Sequence, residues 1–215
     1  MSIIIVGAGP NLGAAVARRF GREGMPAGLI ARDAGKLEAL AGELRDDGIT
    51  ADHAAADIRD AAAVSQAIVT LADRLGAVEV LEYSPLPARE FMKPILETTV
   101  DDVRGPLEFS VLGAVAAATA VVGPMLDAGR GTILFTTGGA AINPYPLRAG
   151  VGISFAGEVA YARMLHEEVA PRGVHVAHTA IPGRIAPGED HEPEDVAEIL
   201  WSHHANRGGF QTVVD

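Results

Sequence analysis

Ile3-Ile4-Ile5-Val6-Gly7-Ala8-Gly9-Pro10-Asn11-Leu12-Gly13 is the stretch that decides the fold. Four apolar residues, too few for a helix and bounded by glycine, read as a buried strand. Ala14-Ala15-Val16-Ala17-Arg18-Arg19-Phe20 reads as the helix that follows. A strand, a glycine turn and a helix present backbone N–H groups and the positive end of a helix dipole to a diphosphate. Gly7 suits the sharp turn, and Gly13 lets the helix approach the sheet. Asn11 tolerates left-handed backbone better than most residues. Gly7, Gly9, Asn11, Leu12 and Gly13 are therefore candidate contacts to a dinucleotide. The competing reading is a glycine turn that holds no ligand.

Outward from this turn, apolar strands and helical spacings alternate. Ala27–Ala31, Ala51–Ala56, Val78–Glu82, Thr132–Thr136, Val174–Ala180 and Gln211–Val214 read as strands. Leu12–Glu23, Ala34–Leu44, Ala61–Leu75, a long helix within Val100–Leu126 starting after or bent at Pro106, Ser154–Val169 and Glu194–His203 read as helices. Gly138–Gly152 reads as a loop. Strands separated by helices imply parallel pairing with right-handed crossovers. The expected architecture is one α/β, doubly wound Rossmann-type domain over residues 1–215, with about seven strands and helices on both faces.

The chain carries a net charge of −11, which argues against nucleic acid or an anionic membrane as partner. It has no cysteine, which excludes disulfides and thiolate chemistry and fits a cytoplasmic location. The N-terminus carries no signal-peptide pattern, and no apolar run reaches the length of a membrane span.

At this point the chain resembles the short-chain dehydrogenase/reductase family. Val6-Gly7-Ala8-Gly9-Pro10-Asn11-Leu12-Gly13 is similar to its TGxxxGxG, with Val6 for Thr and Asn11 for the middle Gly. Ala31-Arg32-Asp33 resembles the loop after the second strand, and Ala56-Asp57-Ile58 the adenine-contacting Asp segment. Gly131-Thr132-Ile133 resembles the fifth strand and Ala170-Pro171-Arg172-Gly173-Val174-His175-Val176 the family's APRGIRV. Ile181-Pro182-Gly183 resembles the PG motif beside the nicotinamide. The resemblance implies cofactor contacts at Asp57, Ile58, Pro182, Gly183 and Ile185, and at Tyr83, Ser84 and Pro85 in place of the family's NNAG turn. Relatives that prefer NAD end the second strand with an acidic residue. Here Ala31 and Arg32 stand there, and an arginine can pair with a 2′-phosphate. NADP(H) is therefore expected over NAD(H). The alternative is a solvated Arg32, with Asp33 capping the next helix.

The resemblance also implies a proton-transfer set of Tyr and Lys four residues apart, with a Ser and an Asn. The residues four after Tyr83, Tyr145 and Tyr161 are Pro87, Ala149 and Leu165, so no YxxxK occurs. The chain's two lysines are Lys36 and Lys93. Spacing back from Ala170 places Val151 and Phe155 at the Tyr and Lys positions, Gly138 at the Ser and Ser110 at the Asn. No catalytic residue is assigned. Tyr145, Thr136 and Thr137 lie near enough in sequence to face a substrate, but read more simply as a loop aromatic and strand-end threonines.

Gly152-Ile153-Ser154-Phe155-Ala156-Gly157 misses GxSxG by one residue. No GxxxxGK[ST] occurs. Glu189-Asp190-His191-Glu192 with His203-His204, and His166-Glu167-Glu168, match no metal spacing, so no metal is expected. Val111–Val122 is nearly free of charge, and its apolar circumference leads to the expectation of a homodimer or homotetramer. The short tail after Gly183 implies a reduced lid and an open pocket. Two functions remain: an oxidoreductase acting on a carbonyl or alcohol substrate, or a catalytically silent dinucleotide-binding sensor or scaffold.

Overall fold

The computed structural model describes residues 1–214. Seven parallel strands form one sheet in the order β3-β2-β1-β4-β5-β6-β7. They are β1 Ser2–Val6, β2 Ala27–Ala31, β3 Ala51–Ala55, β4 Val78–Tyr83, β5 Gly131–Gly138, β6 Val174–Ile181 and β7 Gln211–Val213. Every residue of β1 and of β6 is buried, as expected of strands covered on both faces. Side chains alternate between two cores. Ile4, Val6, Leu81, Tyr83 and Phe135 face α3 Ala61–Leu75, α5 Gly113–Ala128 and α6 Ala149–Val169. Ile3, Ile5, Leu29, Val80 and Leu134 face α1 Leu12–Gly21, α2 Ala34–Asp46 and α7 Pro193–Asn206.

The chain winds outward through β1, β2 and β3, then returns to lay β4 against the other side of β1. Two connections therefore leave in opposite directions between β1 and β4. This opens a crevice at the carboxyl ends of those strands, where ligands of doubly wound sheets bind.

Three expectations are corrected. The long helix starts at Val100, before Pro106. Thr99 and Asp102 form a reciprocal cap, with Thr99 N donating to Asp102 Oδ2 at 2.9 Å. α4 Val100–Leu107 runs through Pro106 into a π-helical turn, Glu108–Leu112, and then into α5. The irregularity is thus the π-turn and not the proline. α6 begins at Ala149, five residues earlier than expected, and passes through Gly150 and Gly152. A Cβ on Gly150 would stand 2.9 Å from Pro106 Cγ, so close packing on α4 explains the glycine and overrides its poor helix propensity. Finally, Val100–Ala128 is long and apolar enough, by length and composition, to cross a membrane, contrary to the expectation from apolar runs. Half of its apolar window is buried inside the fold, because α5 covers β4 and β5 and packs on α3.

Candidate dinucleotide site

The glycine turn sits at the mouth of the β1/β4 crevice. Gly7 has φ +96°, and a Cβ there would stand 2.6 Å from Pro85 Cα and 2.9 Å from the Ser84 carbonyl carbon. Both backbone conformation and space demand glycine. A Cβ on Gly13 would stand 2.9 Å from Ala8 Cα, so the first turn of α1 lies hard against the glycine loop. Gly9 faces open space. Asn11 caps α1 with φ −94°, so it is not left-handed; Gly7 alone supplies the positive φ of this turn. No side chain caps α1 and no acidic residue lies in its first turn. By contrast Asp33, Asp60 and Thr99 cap α2, α3 and α4. Ala14 N already donates to Gly9 O at 2.9 Å, but no side chain blocks the positive end of the α1 dipole, which stays open to an anion. These are features a bound diphosphate requires.

Beside the turn is a cavity of about 200 Å³, lined by Gly7, Ala31, Arg32, Ala56, Asp57, Ile58, Arg59, Pro85, Leu86, Ala88, Glu90, Phe91 and Phe109. Five expected contacts, Gly7, Arg32, Asp57, Ile58 and Pro85, meet there, although they come from four separate connections. Gly9, Asn11, Leu12 and Gly13 border the same turn from the α1 side. A larger hollow of about 520 Å³ lies at the far end of α1, beside Arg18, Arg22 and Asp47. It faces the helix's negative end and lacks the glycine cradle.

Arg32 is exposed, with no hydrogen bond or ion pair among the described residues. Asp33 caps α2 by accepting from Lys36 N at 3.0 Å. Asp57 is not free: its carboxylate takes Arg59 Nη2 at 2.9 Å, Arg59 Nε at 3.3 Å and Arg59 N at 3.0 Å. The Arg59 guanidinium beside Asp57 holds its carboxyl below the usual value. Arg59 escaped the sequence reading, although it stands two residues after a quoted contact.

Tyr83 was expected to meet the cofactor through its backbone rather than its hydroxyl. Its ring is fully buried, and its hydroxyl donates to the Phe109 carbonyl inside the π-turn. Only its backbone can border the crevice, next to Ser84, whose N–H donates to Val6 O at 3.0 Å. Glu82, one residue earlier, was missed because a strand buried on both faces shows no alternation. Its carboxyl is wholly buried, accepts from Ser84 Oγ at 2.9 Å and leaves Oε1 unpartnered. Burial pushes it up to about 8.

Pro182, Gly183 and Ile185 lie across the sheet, after β6. Gly183 has φ +105°. The acidic segment Glu189–Glu192 is largely exposed, and its side chains staple this loop. Asp190 Oδ2 accepts from Arg184 N at 2.8 Å, Glu192 Oε1 accepts from Gly188 N at 2.8 Å, and His191 bonds the Pro182 carbonyl. No metal-ligand cluster occurs among the described residues.

Val151 and Phe155 lie in the core, 4% and 5% exposed. Gly138 ends β5, and a Cβ there would be 3.5 Å from the Phe155 ring. Ser110 is buried in the π-turn, with Ser154 Oγ at 3.4 Å. Thr137 Oγ1 is tied to His178 Nε2 at 2.8 Å, and Thr136 is buried. Tyr145 is about half exposed in the loop after β5.

Comparison with known proteins places this geometry. The family model for short chain dehydrogenase matches residues 1–192. A D-threitol dehydrogenase of Mycolicibacterium smegmatis is 30% identical over 173 residues, which cover 80% of this chain and 66% of that protein. A 2,3-dihydro-2,3-dihydroxybenzoate dehydrogenase of Bacillus subtilis is 25% identical over 212 residues, 98% of this chain and 76% of that protein. A short-chain dehydrogenase from Rhodopseudomonas palustris superposes with TM-score 0.88 at 25% identity, covering 100% of this chain and 97% of that one. A metagenomic short-chain oxidoreductase solved in complex with NADP superposes with TM-score 0.86 at 24% identity, covering 99% and 96%. With the family model matched over residues 1–192, this chain belongs to the short chain dehydrogenase family.

Proposed function

We propose that this chain binds NADP(H) across the β1/β4 crevice, with the diphosphate on the N-terminus of α1. The observation that carries the reading is the cavity beneath Gly7, which gathers Arg32 and Asp57 beside an uncapped helix end. Arg32 stands where an acidic residue would hold ribose hydroxyls, so at that position a 2′-phosphate finds a cation in place of a carboxylate. The dinucleotide, when bound, supplies hydride chemistry. The chain's own residues position it: backbone N–H groups of the glycine turn hold the diphosphate, and the Ile181–Ile185 segment borders the nicotinamide end.

As an oxidoreductase on a carbonyl or alcohol substrate, the protein would draw its proton from water or from a group other than a Tyr-Lys pair. A second reading is favoured by the burial of Val151 and Phe155 in the core: a dinucleotide-binding sensor or scaffold without turnover. Cytoplasmic location, self-association and the absence of nucleic-acid or membrane partners belong to the same proposal.

Calorimetric titration of NADPH and NADH tests it. Binding of NADPH at micromolar levels, tighter than NADH, is the expected result. Absence of heat with either at millimolar concentration would refute the site. With binding in hand, NADPH oxidation across a panel of aldehydes and ketones supports the oxidoreductase, and its absence the sensor.

A further inference from the structure

The cavity beside Gly7 contains a second guanidinium besides Arg32. Arg59 lines the same wall, one strand farther along the sheet. Its Nε and Nη2 are occupied by Asp57, at 3.3 Å and 2.9 Å. Nη1 has no partner among the described residues. The pair is open to solvent, 40% exposed at Arg59 and 36% at Asp57. Such pairs contribute little stability, so the guanidinium can take on another anion at small cost. Asp57 meanwhile holds the planar fork in one orientation, which lowers the entropy of capturing a planar or tetrahedral oxyanion. Arg32 is unengaged and stands near enough to Asp57 to lower its carboxyl further. Besides Asp57, the opposing charge in the cavity wall is Glu90, and Glu108 also acts on Arg59.

We propose that Arg59 is a second specificity-determining residue for the dinucleotide, closing with Arg32 on the 2′-phosphate and oriented for this by Asp57. The inference rests on the NADP(H) reading above. It gives Asp57 a role in this chain beyond any contact with adenine: its carboxylate already accepts three hydrogen bonds from Arg59. A dianionic phosphate suits two guanidiniums, whereas a ribose hydroxyl uses neither.

The test measures NADPH and NADH affinities by calorimetry on the full chain, for the wild type, Arg59→Gln, Arg32→Gln, Glu90→Gln and the pair Asp57→Asn/Arg59→Gln. Arg59→Gln and Arg32→Gln are each expected to weaken NADPH by about tenfold or more while leaving NADH within about twofold. Glu90→Gln is expected to tighten NADPH selectively. In Asp57→Asn/Arg59→Gln the loss must persist. Recovery there would mean that Arg59 acts only by neutralising Asp57, which overturns the proposal. Equal weakening of NADPH and NADH in Arg59→Gln would indicate adenine stacking and also overturns it. A wild type that prefers NADPH, with the preference intact in Arg59→Gln, refutes the role of Arg59 but leaves the NADP(H) reading standing. A wild type with no preference refutes both. Circular dichroism of each variant separates misfolding from lost contact. If Arg59→Gln does not fold, Arg59→Lys, which keeps the charge but loses the fork, is expected to show a partial loss confined to NADPH.

Discussion

At the scale of the residue, Gly7 and Glu82 make opposite demands. Gly7 is held by backbone geometry. Gly7→Ala places a Cβ into Pro85 Cα at 2.6 Å with φ at +96°. The expected cost is at least about 2 kcal/mol, read from urea unfolding, with loss of dinucleotide binding in whatever fraction folds. Glu82 is held by nothing charged. Its folded carboxyl titrates at about 8 against 4.5 unfolded, so the native state binds the extra proton between those values. Stability is fully present below about pH 4.5 and falls as pH rises toward 8, by up to about 1.4 kcal/mol per pH unit. Glu82→Gln mimics the protonated acid. Urea unfolding at pH 6 and pH 8 should show the variant gaining on the wild type as pH rises; parallel curves would show that Glu82 ionises freely. The glycine was legible from its place after an apolar strand. The buried acid was not, because its neighbours Val80 and Leu81 are buried on opposite faces and give no period-two signal.

At the scale of the element, the long helix shows how tertiary contacts override local rules. Two prolines sit inside Val100–Ala128, yet the break in regularity is the π-turn at Glu108–Leu112. Tyr83 reaches this turn from β4, and its hydroxyl uses the Phe109 carbonyl. Gly113 leaves room for that ring, since a Cβ there would also come within 2.8 Å of Ile58 O. Tyr83→Phe therefore removes a buried hydrogen bond, and a loss of about 0.5–1.5 kcal/mol in urea unfolding is expected. An unchanged midpoint would show that the π-turn is kept by packing alone. The helix could be placed from its apolar run, but its start required the Thr99–Asp102 cap, and its bulge required knowing what lay across the sheet.

At the scale of the whole molecule, charge and apolar surface decide behaviour. His175 and His178 are held at about 4, chiefly by burial, well below the usual 6.5. They stay neutral in the native state and charge on unfolding. The stability they allow is present above pH 6.5 and is lost as pH falls toward 4. Their imidazole resonances in NMR should therefore keep neutral shifts from pH 8 to pH 5; a midpoint near 6.5 would contradict the burial. Leu112 and Ile153 are 55% and 44% exposed on the π-turn and α6. Self-association through that face is expected, so light scattering should give a multiple of 22.2 kDa, with Leu112→Glu shifting it toward the single chain. A single-chain mass for the wild type would remove that expectation.

What the sequence determined by itself is what repeats locally: seven strands alternating with six helical segments, the glycine turn after β1, and the missing YxxxK spacing. Each is written in the order of neighbouring residues, so backbone sterics and hydrophobic periodicity suffice to read it. Tertiary structure alone decided which distant side chains meet. It set the Asp57–Arg59 pair beside Arg32 and put the Tyr83 hydroxyl in the π-turn. The reason is physical: hydrogen bonds and ion pairs act over a few ångströms, and only the winding of the sheet brings residues from separate connections within that reach.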